Sequence, residues 1–196
     1  MKKLILVRHG ESLWNASRRL QGQADIGLSE RGQDQVRALA LLIARLNPAL
    51  IWTSDLQRAT RTAALLGYPD ARPEPLLREH SVGDWTGLHI DDLDPSQYQR
   101  WRAGTFTPEN GEPWGTFRER ACGVVESVRA TQAATILLVC HGGVIRALLD
   151  GLVGLPPDRI LPVGPASLTI LDLQRAEARL EAMNVTAFGA TSNAPD

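Results

Sequence analysis

The sequence predicts an α/β fold, a three-layer α/β/α sandwich around a mostly parallel sheet. Three observations carry that prediction. Short apolar runs, at Leu4–Val7, Leu50–Thr53 and Thr135–Cys140, have the length and composition of strands buried on both faces. Segments of helical period separate them, which gives the alternation expected of a parallel sheet. Each run also breaks into polar or glycine residues at its carboxyl end, the edge where such sheets hold ligands.

Taken in order, Leu4 to Val7 reads as the first strand, and the polar, glycine-bearing stretch 10–28 as a loop. Ser29 is suited to N-cap a helix whose apolar positions Val36, Leu39, Ala40, Ile43 and Leu46 recur until Asn47-Pro48. The second strand follows, and Ser54-Asp55 is expected to cap a helix reaching about Leu66, ended by Gly67-Tyr68-Pro69. Residues 70–115 are expected to hold one short strand, one or two helices and loops that cover a site. A helix over Phe117–Ala130 precedes the most apolar run, Thr135–Cys140, and another follows His141-Gly142-Gly143 through Leu152. Ser167–Leu173 and Leu180–Val185 read as closing strands joined through Gln174-Arg175. This organisation amounts to one domain over residues 1–186 and a frayed tail at 187–196.

Composition narrows the function. Lys plus Arg number 21 against 22 Asp plus Glu, so no global basic field argues for nucleic acid or anionic lipid. Cys122 and Cys140 lack CxxC or zinc spacing and read as buried thiols in a reducing compartment. The amino-terminal apolar run stops after four residues at Arg8-His9, too short for a signal peptide. No stretch approaches the ~20 apolar residues of a membrane span. A soluble, cytoplasmic protein is expected.

Four motifs carry chemistry. Arg8-His9-Gly10-Glu11-Ser12 follows the first strand, where a glycine lets backbone and ring approach a ligand. Alone, His9 could equally be a strand-end histidine that caps a carbonyl. Ser54 to Ala63 opens a helix after the second strand and puts Arg58 on its first or second turn; Arg61 reads as solvated. Cys140-His141-Gly142-Gly143 repeats the order strand, histidine, glycine. Leu77-Arg78-Glu79-His80, followed by Gly83-Asp84-Trp85-Thr86-Gly87, is a turn-rich loop with one carboxylate placed for partial desolvation. His80 and His89 with Glu79 and Asp84 match no metal spacing, so neither a metal site nor a cofactor is expected. Trp14, Trp85 and Trp114 lie beside the motifs and could wall a pocket or pack under a loop, whereas Trp52 and Trp101 read as packing residues.

From Leu4 to about Leu152 the chain resembles the histidine phosphatase superfamily, the phosphoglycerate mutase-like family, through these four motifs in the family's order, with Asn15 in its place after the first. The resemblance implies a small phosphorylated substrate, His9 as the residue phosphorylated in turnover, and Glu79 as the proton donor. Arg8, Arg58 and His141 would bind the phosphoryl oxygens, with Asn15, Gln21, Gly22 and Gly142 touching phosphate or substrate. Phosphoryl transfer needs charge stabilisation on three oxygens more than covalent help, and two guanidiniums can supply it as forked donors. His9 must attack as neutral imidazole, which nearby Arg8 and Arg58 favour, and His141 would serve as a cationic clamp. Mutases of the family are longer in the middle, so the shortness of this chain favours hydrolysis, on the pattern of bacterial phosphatases of broad-specificity, α-ribazole phosphate and glucosyl-phosphoglycerate types. Homodimers are common in the family. Thr86 and Pro113 depart from its usual glutamate and serine at positions expected to face substrate.

Overall fold

Alternate residues of the first strand set the layering. β1 (Lys3–Arg8) sends Leu4 and Leu6 to one face and Ile5 and Val7 to the other, all fully buried. In the computed structural model, which describes residues 2–175 and 177–187, the two faces meet different helices. Leu4 and Leu6 share a cluster with Phe117, Val124, Ile145 and Leu148, from α5 (Trp114–Arg129) and α6 (Gly142–Val153). Ile5 and Val7 share the other with Val36, Leu39, Ile43 and Ala63, from α2 (Glu30–Leu46) and α3 (Gln57–Leu65). Helices thus clad both faces of the sheet, the sandwich that the sequence predicts. Burial of each large aliphatic side chain contributes roughly 1.5–3 kcal/mol, a source of stability against which charged groups can be held at the sheet edge.

The other strands are β2 (Leu50–Thr53), β3 (Arg72–Pro73), β4 (Thr135–Cys140), β5 (Leu168–Asp172) and β6 (Arg179–Val185), and the sheet runs β3-β2-β4-β1-β5-β6. The first four in that order are parallel, whereas β5 and β6 are antiparallel to their neighbours. Register then places the site. Arg8 pairs with Cys140, so His9 and His141 leave adjacent strands side by side. Thr53 pairs with Val139, which carries Ser54 to the same edge.

Three details differ from expectation, in 10–28, at Ser54-Asp55 and at the start of α5. The stretch 10–28 contains a one-turn helix, α1 (Leu13–Ala16), closed by a capping box between Ser12 and Asn15. Ser54-Asp55 does not cap α3, whose N-cap is Leu56 with no side-chain bond. Instead, Asp25 of the preceding loop accepts the Gln57 N–H at 2.7 Å, and Asp55 pairs with Arg78 at 2.6 Å. α5 begins three residues before Phe117. Within 70–115 stand β3, one helix α4 (Pro95–Arg102) capped by Asp94, and three short 3-10 turns. The tail expected to fray lies, beyond residue 187, outside the described residues.

Candidate active site

Adjacent parallel strands lie ~4.8 Å apart, and the ring centroids of His9 and His141 stand 5.1 Å apart, edge to face. His9 is buried, and its Nδ1 lies 2.6 Å from the Gly10 carbonyl. A carbonyl can only accept, so Nδ1 carries the proton and the Nε2 lone pair is left over. Burial lowers the His9 pKa well below the usual histidine value, and the charges of Arg58 and then Arg8 lower it further, against the Gly10 bond. His9 is therefore held toward the neutral imidazole, with an unshared electron pair on Nε2.

His141 is also held toward the neutral form by its surroundings. Arg58 Nε donates to its Nδ1 at 3.3 Å, so the ring proton sits on Nε2, 2.9 Å from Ser54 Oγ. Burial, then Arg58, His9, Arg8 and Arg120, all oppose a second proton.

Arg58 is fully buried, and desolvation draws its pKa down to about 10, with Glu79 and Asp25 opposing. Its Nη1 and Nη2 donate to the carbonyls of Ala24 and Gly22 at 2.7 and 2.8 Å. Arg8 is also buried, and its Nη1 is bonded to the Val163 carbonyl. The forks expected to face a ligand are thus partly engaged by backbone, which fixes the guanidiniums in place. Gly22 serves this arrangement through its carbonyl and its left-handed backbone (φ 50°).

Ser12 organises the two amides. Its N–H donates to Asn15 Oδ1 at 3.2 Å, which leaves the single hydroxyl proton for Gln21 Oε1 at 2.8 Å. With both oxygens turned to Ser12, Asn15 and Gln21 keep their NH2 groups as donors. Both residues line one cavity with Arg8, His9, Gly22, Arg58, Glu79 and Gly142. The carboxyl of Glu79 accepts from the His80 N–H at 2.8 Å and the Gly143 N–H at 3.0 Å, so the first turn of α6 holds it beside the imidazoles.

Every site residue expected from the sequence lines this cavity except His141, which is fully buried behind it against His9, Arg58 and Ser54. Among the tryptophans only Trp101, expected to be a packing residue, departs from expectation. Trp114 and Trp101 line the cavity, and Trp101 lies parallel to His80 at 5.9 Å. Trp85 packs on Trp101 and Phe106, and Trp14 lies beside Gly87. Thr86 is exposed and bonds to the Gly83 carbonyl, and Pro113 is the N-cap of α5, so neither is among the cavity residues. Ser12 and Ser54 stand inside the motifs with no side-chain role in the site assigned by sequence, and Arg120 lies outside every motif, its bonds running to carbonyls more than 40 residues away. Among the described residues no three His, Cys, Asp or Glu side chains are grouped to hold a metal, and no helix is long and apolar enough to cross a membrane.

These features define a class: a three-layer α/β protein with a guanidinium-lined cavity and a neutral imidazole at the carboxyl edge of its sheet. The sequence model of the histidine phosphatase superfamily (branch 1) matches residues 4–186, and the chain belongs to that superfamily. It is 36% identical over 173 residues to a glucosyl-3-phosphoglycerate phosphatase of Mycolicibacterium vanbaalenii, covering 81% of this chain and 77% of the relative. It is 34% identical over 189 residues to the probable phosphoglycerate mutase GpmB of Escherichia coli, covering 90% and 87%. Among solved structures, a mycobacterial glucosyl-3-phosphoglycerate phosphatase complexed with VO3 superposes with a TM-score of 0.85 at 35% identity, covering 94% of this chain and 99% of that one. The same enzyme with inorganic phosphate gives a TM-score of 0.85 at 32% identity, covering 95% and 99%.

Proposed function

We propose that this chain is a metal-independent phosphomonoesterase that hydrolyses a small phosphorylated metabolite through a phosphohistidine at His9. The observation that carries this reading is the neutral His9 ring, its Nδ1 committed to the Gly10 carbonyl, 5.1 Å from His141 and among Arg8, Arg58 and Glu79. Relatives named as phosphatases, and a solved neighbour complexed with phosphate, support it.

His9 Nε2 attacks phosphorus while Arg8, Arg58 and the amide groups of Asn15 and Gln21 hold the non-bridging oxygens. The P–O ester bond breaks, and Glu79 gives its proton to the departing oxygen, releasing an alcohol. The Glu79 carboxylate then takes a proton from water, which attacks the phosphohistidine. Orthophosphate leaves and His9 returns to neutral imidazole. Two buried guanidiniums supply the charge stabilisation that a metal provides elsewhere. His141 becomes cationic only beside a phosphoryl dianion, whose charge opposes the cations that keep it neutral.

The likeness to GpmB supports a second reading, in which a substrate hydroxyl replaces water as acceptor. A panel of phosphorylated sugars, glycerates and nucleotides, assayed in chelator for orthophosphate and for phosphoryl transfer, separates the two. The expected result is orthophosphate from wild type and none from His9→Ala. Normal hydrolysis by folded His9→Ala would end the proposal.

A further inference from the structure

The loop that delivers Glu79 has no strand pairing of its own. A 3-10 turn at Pro75–Leu77 runs into irregular backbone through His80, and backbone polar groups in such a segment need other partners. Arg120, on α5, supplies them. Its Nη1 donates to the carbonyls of Leu76 and Arg78 at 2.7 and 2.8 Å, and its Nη2 to that of Glu79 at 3.3 Å. Nε and Nη2 also fork onto the two carboxylate oxygens of Glu112 at 3.0 and 2.8 Å. These bonds use all five guanidinium N–H groups, and three of them fall on four consecutive residues ending at Glu79.

Glu112 secures the other side of the same loop. Its carbonyl accepts from His80 Nε2 at 2.6 Å, its N–H donates to the Ser81 carbonyl at 3.0 Å, and its carboxylate accepts the Ser81 N–H at 3.4 Å. Glu79 is thus held at its backbone from both flanks, while its carboxyl meets the His80 and Gly143 amides. The Arg120–Glu112 pair is itself mostly buried, and the guanidinium lies 4.9 Å over the Phe117 ring. Neither Arg120 nor Glu112 is among the residues that line the cavity.

We infer that Arg120 and Glu112 are positioning residues for Glu79, fixing the carboxyl at the height of the departing ester oxygen. The inference rests on the reading of Glu79 as general acid, and it has a signature that a merely structural pair lacks. A displaced acid hurts only leaving groups that need its proton, and a misplacement of about 1 Å can cost on the order of 10²-fold. An alkoxide needs that proton; p-nitrophenolate departs without it.

The test compares kcat/KM for glycerol phosphate and p-nitrophenyl phosphate in wild type, Arg120→Met, Arg120→Lys, Glu112→Gln and Glu79→Gln. kcat/KM reports formation of the phosphohistidine and not its later hydrolysis. The alkyl-to-aryl ratio is expected to fall about 10–100-fold in Arg120→Met. Arg120→Lys should follow it, because an ammonium cannot reproduce the five-donor fan. Glu112→Gln keeps the shape of the pair and should show a smaller fall in the same direction; it is the deciding variant if Arg120→Met fails to fold. An equal loss on both esters in folded protein, or no loss on either, overturns the inference. If Glu79→Gln also leaves the ratio unmoved, what has failed is the role given to Glu79.

Discussion

Gly143 shows how little room the site allows a single residue. A Cβ there would fall inside contact distance of Glu79 Oε1 and close to the Phe117 ring. The Glu79 carboxyl is the end of a flexible side chain, so it can yield without unfolding the protein. Gly143→Ala is therefore expected to keep a near-native melting temperature and to lose on the order of 10²-fold in kcat/KM on alkyl phosphates. A large loss of stability with activity retained would contradict this. At the residue scale the sequence points to His9 and His141, because each stands just beyond an apolar run whose carboxyl end marks a ligand edge, and to Arg58, on the first turn of the helix after such a run. It hides Ser12 and Arg120. Ser12 stands three residues before Asn15, an ordinary capping spacing that says nothing of its bond to Gln21, and Arg120 bonds to carbonyls some 40 residues away, with no local spacing to read.

The helices and strands of the sandwich follow from period, apart from boundary shifts, because each buries a regular apolar face. The start of α3 does not follow. A serine–aspartate pair before a helix is an ordinary capping signal, yet Asp55 is drawn off by Arg78, which bonds to both carboxylate oxygens. The cap comes from Asp25, across the chain, and the adjacent Ala24 carbonyl holds Arg58. One loop thus both ends a helix and fixes a site guanidinium. Asp25→Ala is expected to lower stability by about 1 kcal/mol, and to raise KM for phosphate esters as Arg58 loosens. Denaturant melts with steady-state kinetics on the same protein check both; unchanged KM would separate the cap from the site.

At the scale of the whole molecule, three of the four histidines are buried with lowered pKa values. Desolvation is the main cause for His9, His80 and His141 alike. In the unfolded chain each titrates near 6.5, so below that pH the unfolded state binds more protons. The stability these groups confer is full above 6.5 and is lost as pH falls through their folded values. Each contributes a slope of up to about 1.4 kcal/mol per pH unit. The melting temperature is expected to fall steadily between pH 7 and 5, a window above the range where the salt-bridged Asp55 and Asp172 titrate. A flat profile there would mean the imidazoles are not held neutral. The convergence of three strand ends is legible in sequence, since the parallel-sheet rule sends all of them to one edge. The neutrality of His141 is not, because it follows from burial and from the direction of one hydrogen bond. The central claim is that His9 Nε2 gives the electron pair that bonds to phosphorus. Mixing the protein with a radiolabelled phosphomonoester in chelator, quenching in base and mapping the label tests it most directly. An acid-labile phosphoryl group on His9 that forms and decays fast enough for turnover is the predicted result; turnover with no such label, or with the label on another residue, would contradict it.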